Sequence, residues 1–401
     1  MKATNKNCDL ATANQGLRRR EWVLLPLLSL LTTIILLVSV ETLSRHYFSQ
    51  SKTHVLSCLV LNDKSTGVRG IPNCDTWEKI REGDWVEYKF NCAGYRTNIP
   101  CGPKPPGTFR IVMIGSSIAM GERVQLDKTF ATLLPQQLST TDGRKVELYN
   151  ESLEYALPKS TTLHFDEVLA AKPDLVLWVL TLADVKDSGY VYAENIGLAS
   201  SIPSGSRLDS ITHTIRSRWQ NPLSASGTAV RHFLYEQQSA AELIRSYLSM
   251  PPGANFWEPG AAAFTTDLSP DWEDWLRKFD GYAAQNIAKA KFAGVPLVAV
   301  LVPSSVHAAM ISMGEWPAGF DPYRADLQLR SIINKHGGKY VDILPDYRGI
   351  ANPERHYYPI DGHPNVAGHA IIARLLAKEL KDGPIPELRS ESVTADSHSG
   401  N

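Results

Sequence analysis

Two short stretches carry the residue types that could do acyl-transfer chemistry. The first, FRIVMIGSSIAMG over 109–121, is an apolar run that stops at Gly115 and is followed at once by Ser116 and Ser117. Ile111, Val112, Met113 and Ile114 predict a buried strand ending in a sharp turn. A serine just past the carboxyl end of such a strand, where a helix begins, stands where open α/β sheets bind ligands. Helix N–H groups turned to that spot favour negative charge. The plainer role for a serine there is an N-cap. The second stretch, YYPIDGHPNVAGH over 357–369, sets Asp361 two residues before His363, ahead of a helix whose start Pro364 and Asn365 mark. A serine hydroxyl is a poor nucleophile unless a base within about 3 Å takes its proton and a carboxylate holds that base in the right tautomer. A serine of the first stretch, His363 and Asp361 are those ingredients. Ser116 and Ser117 are adjacent candidates.

The elements between must bring the two stretches together. Strands are expected at 109–115, 145–150 (KVELYN), 175–180 (LVLWVL), 296–302 (PLVAVLV) and, shorter, 340–344. Helices are expected at 127–138 with a kink at Pro135, and at 161–171, 270–293, 322–336 and 365–381. Strands apolar on both faces and separated by helices predict a parallel sheet covered on both sides, a three-layer α/β/α fold of flavodoxin-like type. In such a fold the loop entering the last helix can stand beside the loop after the first strand, which would join Ser117, His363 and Asp361. The excess between 186 and 265 is an insertion, with helices expected at 208–219 and 228–250. Trp272, Trp275, Phe279 and Tyr282 recur at helical spacing and are taken as core.

Trp22 to Val40 is uncharged, and at the helical rise spans roughly 28 Å, close to a bilayer core. Arg18, Arg19 and Arg20 precede it, so the expected topology is an uncleaved single-pass anchor over 22–40 with residues 1–21 as a cytoplasmic tail. The rest then lies outside the cytoplasm, as at the periplasmic face of a bacterial inner membrane. A juxtamembrane helix over 41–56 is expected, then a small β-rich subdomain to 107, where Val86, Tyr88 and Phe90 alternate with Glu87 and Lys89. Residues 108–382 form the main domain and 383–401 a polar tail. Of five cysteines, Cys8 falls on the cytoplasmic side. Cys58, Cys74, Cys92 and Cys101 fall outside; neighbour pairing, Cys58–Cys74 and Cys92–Cys101, is expected among three possible pairings. A formal net charge of −1 gives no reason to expect nucleic acid. His356, His363 and His369 have spacings that match no zinc motif, and neither metal nor cofactor is expected. His307 and His336 have no partner legible in sequence.

GSSIAMG resembles the first block of the SGNH (GDSL-type) hydrolases, with Gly115-Ser116-Ser117 where Gly-Asp-Ser is usual. PIDGHPNVAGH is similar to their last block, in which one short segment supplies Asp and His. The resemblance covers about residues 107 to 381. It implies Ser117 as nucleophile, His363 as base and Asp361 as its orienter. It further implies a serine esterase, or an O-acyltransferase, acting on an acylated small molecule or surface polysaccharide. The middle blocks depart from the pattern. Asn150-Glu151-Ser152-Leu153-Glu154-Tyr155 stands where a glycine-bearing turn is usual, so the oxyanion donors would be the backbone N–H groups of Ser117 and Tyr155, and Tyr155 lacks glycine's freedom. Thr181-Leu182-Ala183-Asp184 stands for Gly-x-Asn-Asp, and Ala183 has no amide to donate. Losing one such donor costs about a hundred- to thousandfold in rate. The alternative is a catalytically inactive binding or assembly protein with the same fold.

Overall fold

The apolar N-terminal run forms one helix, α1 (Glu21–Tyr47), in a computed structural model that describes residues 20–186, 224–250, 260–383 and 385–388. It is long and apolar enough to cross a membrane, and its apolar window is not buried against the rest of the chain. The helix ends at Tyr47, short of the expected 56; a 3₁₀ turn at Val55–Cys58 follows. The expected tails 1–21 (all but its end) and 383–401 (all but its start), with Cys8, and the expected helix at 208–219 lie outside the described residues.

Two antiparallel hairpin-like pairs come next: β1 (Leu59–Asp63) with β2 (Gly67–Gly70), and β3 (Asp75–Glu78) with β4 (Val86–Lys89). Disulfides Cys58–Cys74 and Cys92–Cys101 join this segment in the expected pairing. It does not stand apart: Val86, Tyr88, Phe90 and Tyr95 belong to the same buried cluster as the main sheet. The alternation at 86–90 explains this, since its apolar face needs a partner and finds the α/β core.

The main sheet is parallel, with spatial order 2-1-3-4-5. Its strands are β5 (Thr108–Ile114), β6 (Lys145–Asn150), β7 (Leu175–Leu180), β8 (Leu297–Leu301) and β9 (Lys339–Tyr340). Every residue of β5, β7 and β8 is buried; β7 and β8 are unbroken apolar runs, and β5 buries Arg110 with Glu147 as its partner. β9 is shorter than expected, because Asp342 accepts a hydrogen bond from Leu344 N (3.1 Å) and turns the chain out.

The helices are α2 (Ser117–Met120), α3 (Phe130–Leu133), α4 (Pro158–Leu163), α5 (Phe165–Ala170), α6 (Leu182–Lys186), α7 (Ala225–Gln237), α8 (Ala240–Leu248), α9 (Pro270–Phe292), α10 (Ser305–Met313), α11 (Arg324–Lys335) and α12 (Val366–Asp382). The single helix expected at 127–138 is instead α3 between two 3₁₀ turns. Thr129 caps α3, and Pro135 lacks the N–H to continue it. The helix expected at 228–250 is divided into α7 and α8, because Ser239 and Glu242 form a capping box. Trp272 and Phe279 of α9 are fully buried, so its aromatic face is core.

The carboxyl-terminal end of α1 is held against α7. Glu41, the first charged residue after the apolar run, accepts from Ala225 N (3.3 Å), Ser226 N (3.0 Å) and Ser226 Oγ (2.7 Å) at the start of α7.

Candidate active site

Gly115 ends β5 with φ +156; a Cβ there would lie 2.6 Å from Val179 O and 2.7 Å from Ala119 Cβ. Only glycine lets the chain turn this close to β7 and present the two serines. Ser117 is the first residue of α2, at a helix start as expected, but α2 is one turn long, so little helix dipole reaches the serine. Asn150 holds α2 in place: its Nδ2 donates to Ala119 O (2.9 Å) and its Oδ1 accepts from Ser152 N (3.0 Å). Ser116 is buried and Ser117 half-buried.

The loop before α12 is tied down on three sides. Tyr357 donates to Pro303 O (2.8 Å) past the end of β8, and Asn365 caps α12 through Ala367 N (3.0 Å) and Gly368 N (3.1 Å). Glu82, from the connection between β3 and β4, accepts from Asp361 N (2.6 Å) and Ile360 N (3.0 Å). The loop thereby carries His363 to the serine. His363 Nε2 lies 2.8 Å from Ser117 Oγ, and its Nδ1 lies 2.6 Å from Asp361 Oδ1. With Nδ1–H donating to the carboxylate, Nε2 is left to accept the serine proton. The sheet order decides this: β5 lies inside the sheet between β6 and β7, and its carboxyl end is the place the last loop reaches.

Residues that sequence reasoning missed surround the three. Arg123 Nε donates to Asp361 Oδ2 (3.0 Å) and its Nη1 to Glu78 Oε1 (2.7 Å). Its Nη2 lies 2.6 Å from Glu122 Oε1, and its backbone N donates to Tyr88 Oη (2.9 Å). Arg96, fully buried, donates to Gly121 O and to Val124 O (2.7 Å) and lies 4.2 Å over the Tyr88 ring. The β3–β4 segment is therefore the frame of the site. The only sequence signal was a charged pair, Glu122-Arg123, in an otherwise apolar turn.

These contacts set the ionisation. Burial pushes the Asp361 carboxyl up, but His363 and Arg123 outweigh it and hold the group well below the usual carboxylate range. Burial pushes the His363 imidazole down, and Asp361 and then Glu122 reverse that, leaving it raised. Glu154, buried beside Glu122, is pushed well above its ordinary value, first by burial and then by that neighbour.

The oxyanion candidates divide. Tyr155 takes the left-handed backbone, φ +63, that sequence reasoning reserved for glycine. Such a conformation costs a bulky residue about 1–3 kcal/mol and persists only where the surroundings impose it. Ala183, half-buried in α6, offers no side-chain donor, and Asp184 accepts from Thr181 N (2.7 Å) and Thr181 Oγ1 (2.8 Å). Among the described residues no group of three or more His, Cys, Asp or Glu could hold a metal. His369 faces the core, accepting from Phe130 N (3.2 Å); His307 approaches Pro322 O (2.6 Å) and His336 Asp280 (2.7 Å).

No protein-family model matches the chain, and no curated protein does. Solved structures do. TesA is 12% identical at TM-score 0.35, covering 68% of this chain and 98% of that one. A single-substitution variant of Axe2, an acetyl-xylooligosaccharide esterase from Geobacillus Stearmophilus, is 16% identical at TM-score 0.37, covering 67% and 93%. A member of the lipolytic protein G-D-S-L family from Veillonella parvula is 8% identical at TM-score 0.32, covering 67% and 96%. At such scores and identities the likeness carries no argument about activity.

Proposed function

We propose that the chain is a membrane-anchored serine esterase of the SGNH type, facing away from the cytoplasm. It acts on ester-linked acyl groups, such as those of surface polysaccharide, as a hydrolase or an O-acyltransferase. The observation that carries this is the run of contacts from Ser117 Oγ to His363 Nε2 (2.8 Å) and from His363 Nδ1 to Asp361 (2.6 Å). Ser117 Oγ attacks the ester carbonyl as Nε2 takes its proton. The carbonyl π pair moves onto oxygen, facing the N–H groups of Ser117 and Tyr155. The C–O bond to the leaving group breaks as that oxygen collects the proton from Nε2. Water, or a sugar hydroxyl in the transferase case, then releases the acyl group by the reverse proton path.

The location draws on α1 and the arginines before it; the disulfides fit an oxidising compartment. A second reading, an inactive binding or assembly protein, is favoured by Ala183 alone. A fluorophosphonate probe on the purified chain separates them. The esterase labels at Ser117 and loses the label on Ser117→Ala; a chain that never labels is the binding protein.

A further inference from the structure

Glu122 follows the turn that carries Ser117, and its N–H donates to Ser117 O (3.0 Å). Its side chain is 1% exposed, and among the described residues neither oxygen accepts a hydrogen bond of normal geometry. Its ion contacts are Arg123 Nη2 at 2.6 Å and His363 Nε2 at 3.7 Å. A buried carboxylate is costly unless paired, and Arg123 is already shared with Asp361 and Glu78.

The charges packed around His363 make the case. Glu122 and Arg123 come from the turn after α2, Glu78 and Tyr88 from β3 and β4, and Arg96 from the segment after β4. Glu154 comes from the loop after β6, Asp361 and Tyr358 from the last loop, and His369 from α12. His54, nearly half exposed, touches Glu78 from the solvent side. Burial pushes Glu154, Tyr88 and Tyr358 up and lowers His369 to about 3. Glu78, Glu122 and Asp361 share Arg123 as their close cation, and Glu82 adds a further buried carboxylate on the backbone N–H of Asp361. A proton on His363 Nε2 places a cation between the carboxylates of Asp361 (2.6 Å from Nδ1) and Glu122 (3.7 Å from Nε2).

We propose that Glu122 is a second carboxylate of the site, holding the imidazolium of His363 from the Nε2 side as Asp361 does from the Nδ1 side. It is a positioning residue acting through His363, and the assignment rests on Ser117 being the nucleophile. In the resting site Ser117, at 2.8 Å, holds Nε2. Once the Oγ lone pair is drawn into the acyl bond, Glu122 is the anion left beside that nitrogen. It keeps the proton poised until the leaving oxygen takes it. A merely structural Glu122 would serve Arg123 and leave His363 indifferent.

The test is Glu122→Gln in the full chain in detergent micelles, which keeps the shape and removes the charge. His363 is titrated by its ring signals in ¹⁵N-histidine NMR, and p-nitrophenyl acetate hydrolysis is followed against pH. The expected result is a fall in the His363 pKa of about one unit and an acid limb moved down equally. The plateau kcat falls about tenfold with KM unchanged, since only the protonated state is affected. Glu122→Asp restores at least half of the shift. A His363 pKa within about 0.2 units of the parent in both variants overturns the proposal. If Glu122→Gln does not fold, Glu122→Asp against the parent decides, because drawing the carboxylate back must lower the His363 pKa. A parent chain that neither hydrolyses ester nor takes a fluorophosphonate defeats the esterase reading instead, and the NMR titration still reports on Glu122.

Discussion

Replacing Arg123 by methionine should cost far more stability than an ordinary arginine substitution, and the cost should depend on pH. The Arg123 side chain is 11% exposed and is the cation common to three carboxylates, Asp361, Glu78 and Glu122. Arg123→Met fills the volume and leaves those carboxylates without it. Removing one partner of a buried ion pair costs about 3–5 kcal/mol, and about 4 is expected here at pH 7. At about 2–4 °C per kcal/mol, thermal unfolding should come roughly ten degrees earlier. The sign with pH follows from proton linkage. In the parent, Asp361 is held below its unfolded value, so its contribution is full above about pH 4 and is lost only as pH falls through the depressed value. In the variant the carboxylates repel one another, and the folded state binds protons more readily than the unfolded one. Stability of the variant therefore rises as pH falls from 7 toward about 4.5, and the deficit shrinks. Arg123→Lys, which keeps the charge and loses the fork, should recover part of it. Differential scanning fluorimetry at pH 7 and pH 4.5 is the assay. A deficit under about 1 kcal/mol at pH 7, or one equal at both pH values, would refute the argument.

Ser117→Ala and His363→Ala should abolish ester hydrolysis to a similar extent while Ser116→Ala spares it, because the members of such a unit fail together; loss only in Ser116→Ala shifts the nucleophile by one position. Ala183→Asn should raise kcat about tenfold if the missing amide limits oxyanion binding; a rate within twofold of the parent denies Ala183 that place. Burial pushes Glu151 up to about 8, so it keeps a proton in the folded state that it sheds when unfolded near neutrality. Its contribution is full below about pH 4.3 and lost as pH rises toward 8, so the stability of Glu151→Gln relative to the parent should grow by about 1.4 kcal/mol per pH unit between 5 and 8. Denaturant unfolding at several pH values measures this, and a flat difference counts against it.

Local sequence was enough for much of this protein. The apolar runs at 109–114, 175–180 and 297–301 are strands because burial on both faces leaves β-branched and aliphatic chains little else to do. Gly115 marks the turn because no Cβ fits there, and Asp361 and His363 meet because two residues of one loop cannot be far apart. The cysteine pairing found is the neighbour pairing expected among the three that four cysteines allow. Elements whose limits depend on side-chain hydrogen bonds were harder: Thr129 and Ser239 start helices as N-caps and Asp342 turns the chain out after β9, by bonds that composition does not announce. Tyr155 holds a left-handed backbone against its own preference, an arrangement that the packing around it imposes and its residue type argues against. Beyond the adjacent pair Glu122-Arg123, the ionic frame belonged to the tertiary structure. Glu78, Glu82, Tyr88 and Arg96 lie in a segment that in sequence looks like a separate module. They meet Arg123, Glu122 and Asp361 only because the apolar face of that segment is buried against the main sheet. Charge pairing at contact distance between distant parts of a chain leaves no periodicity to read.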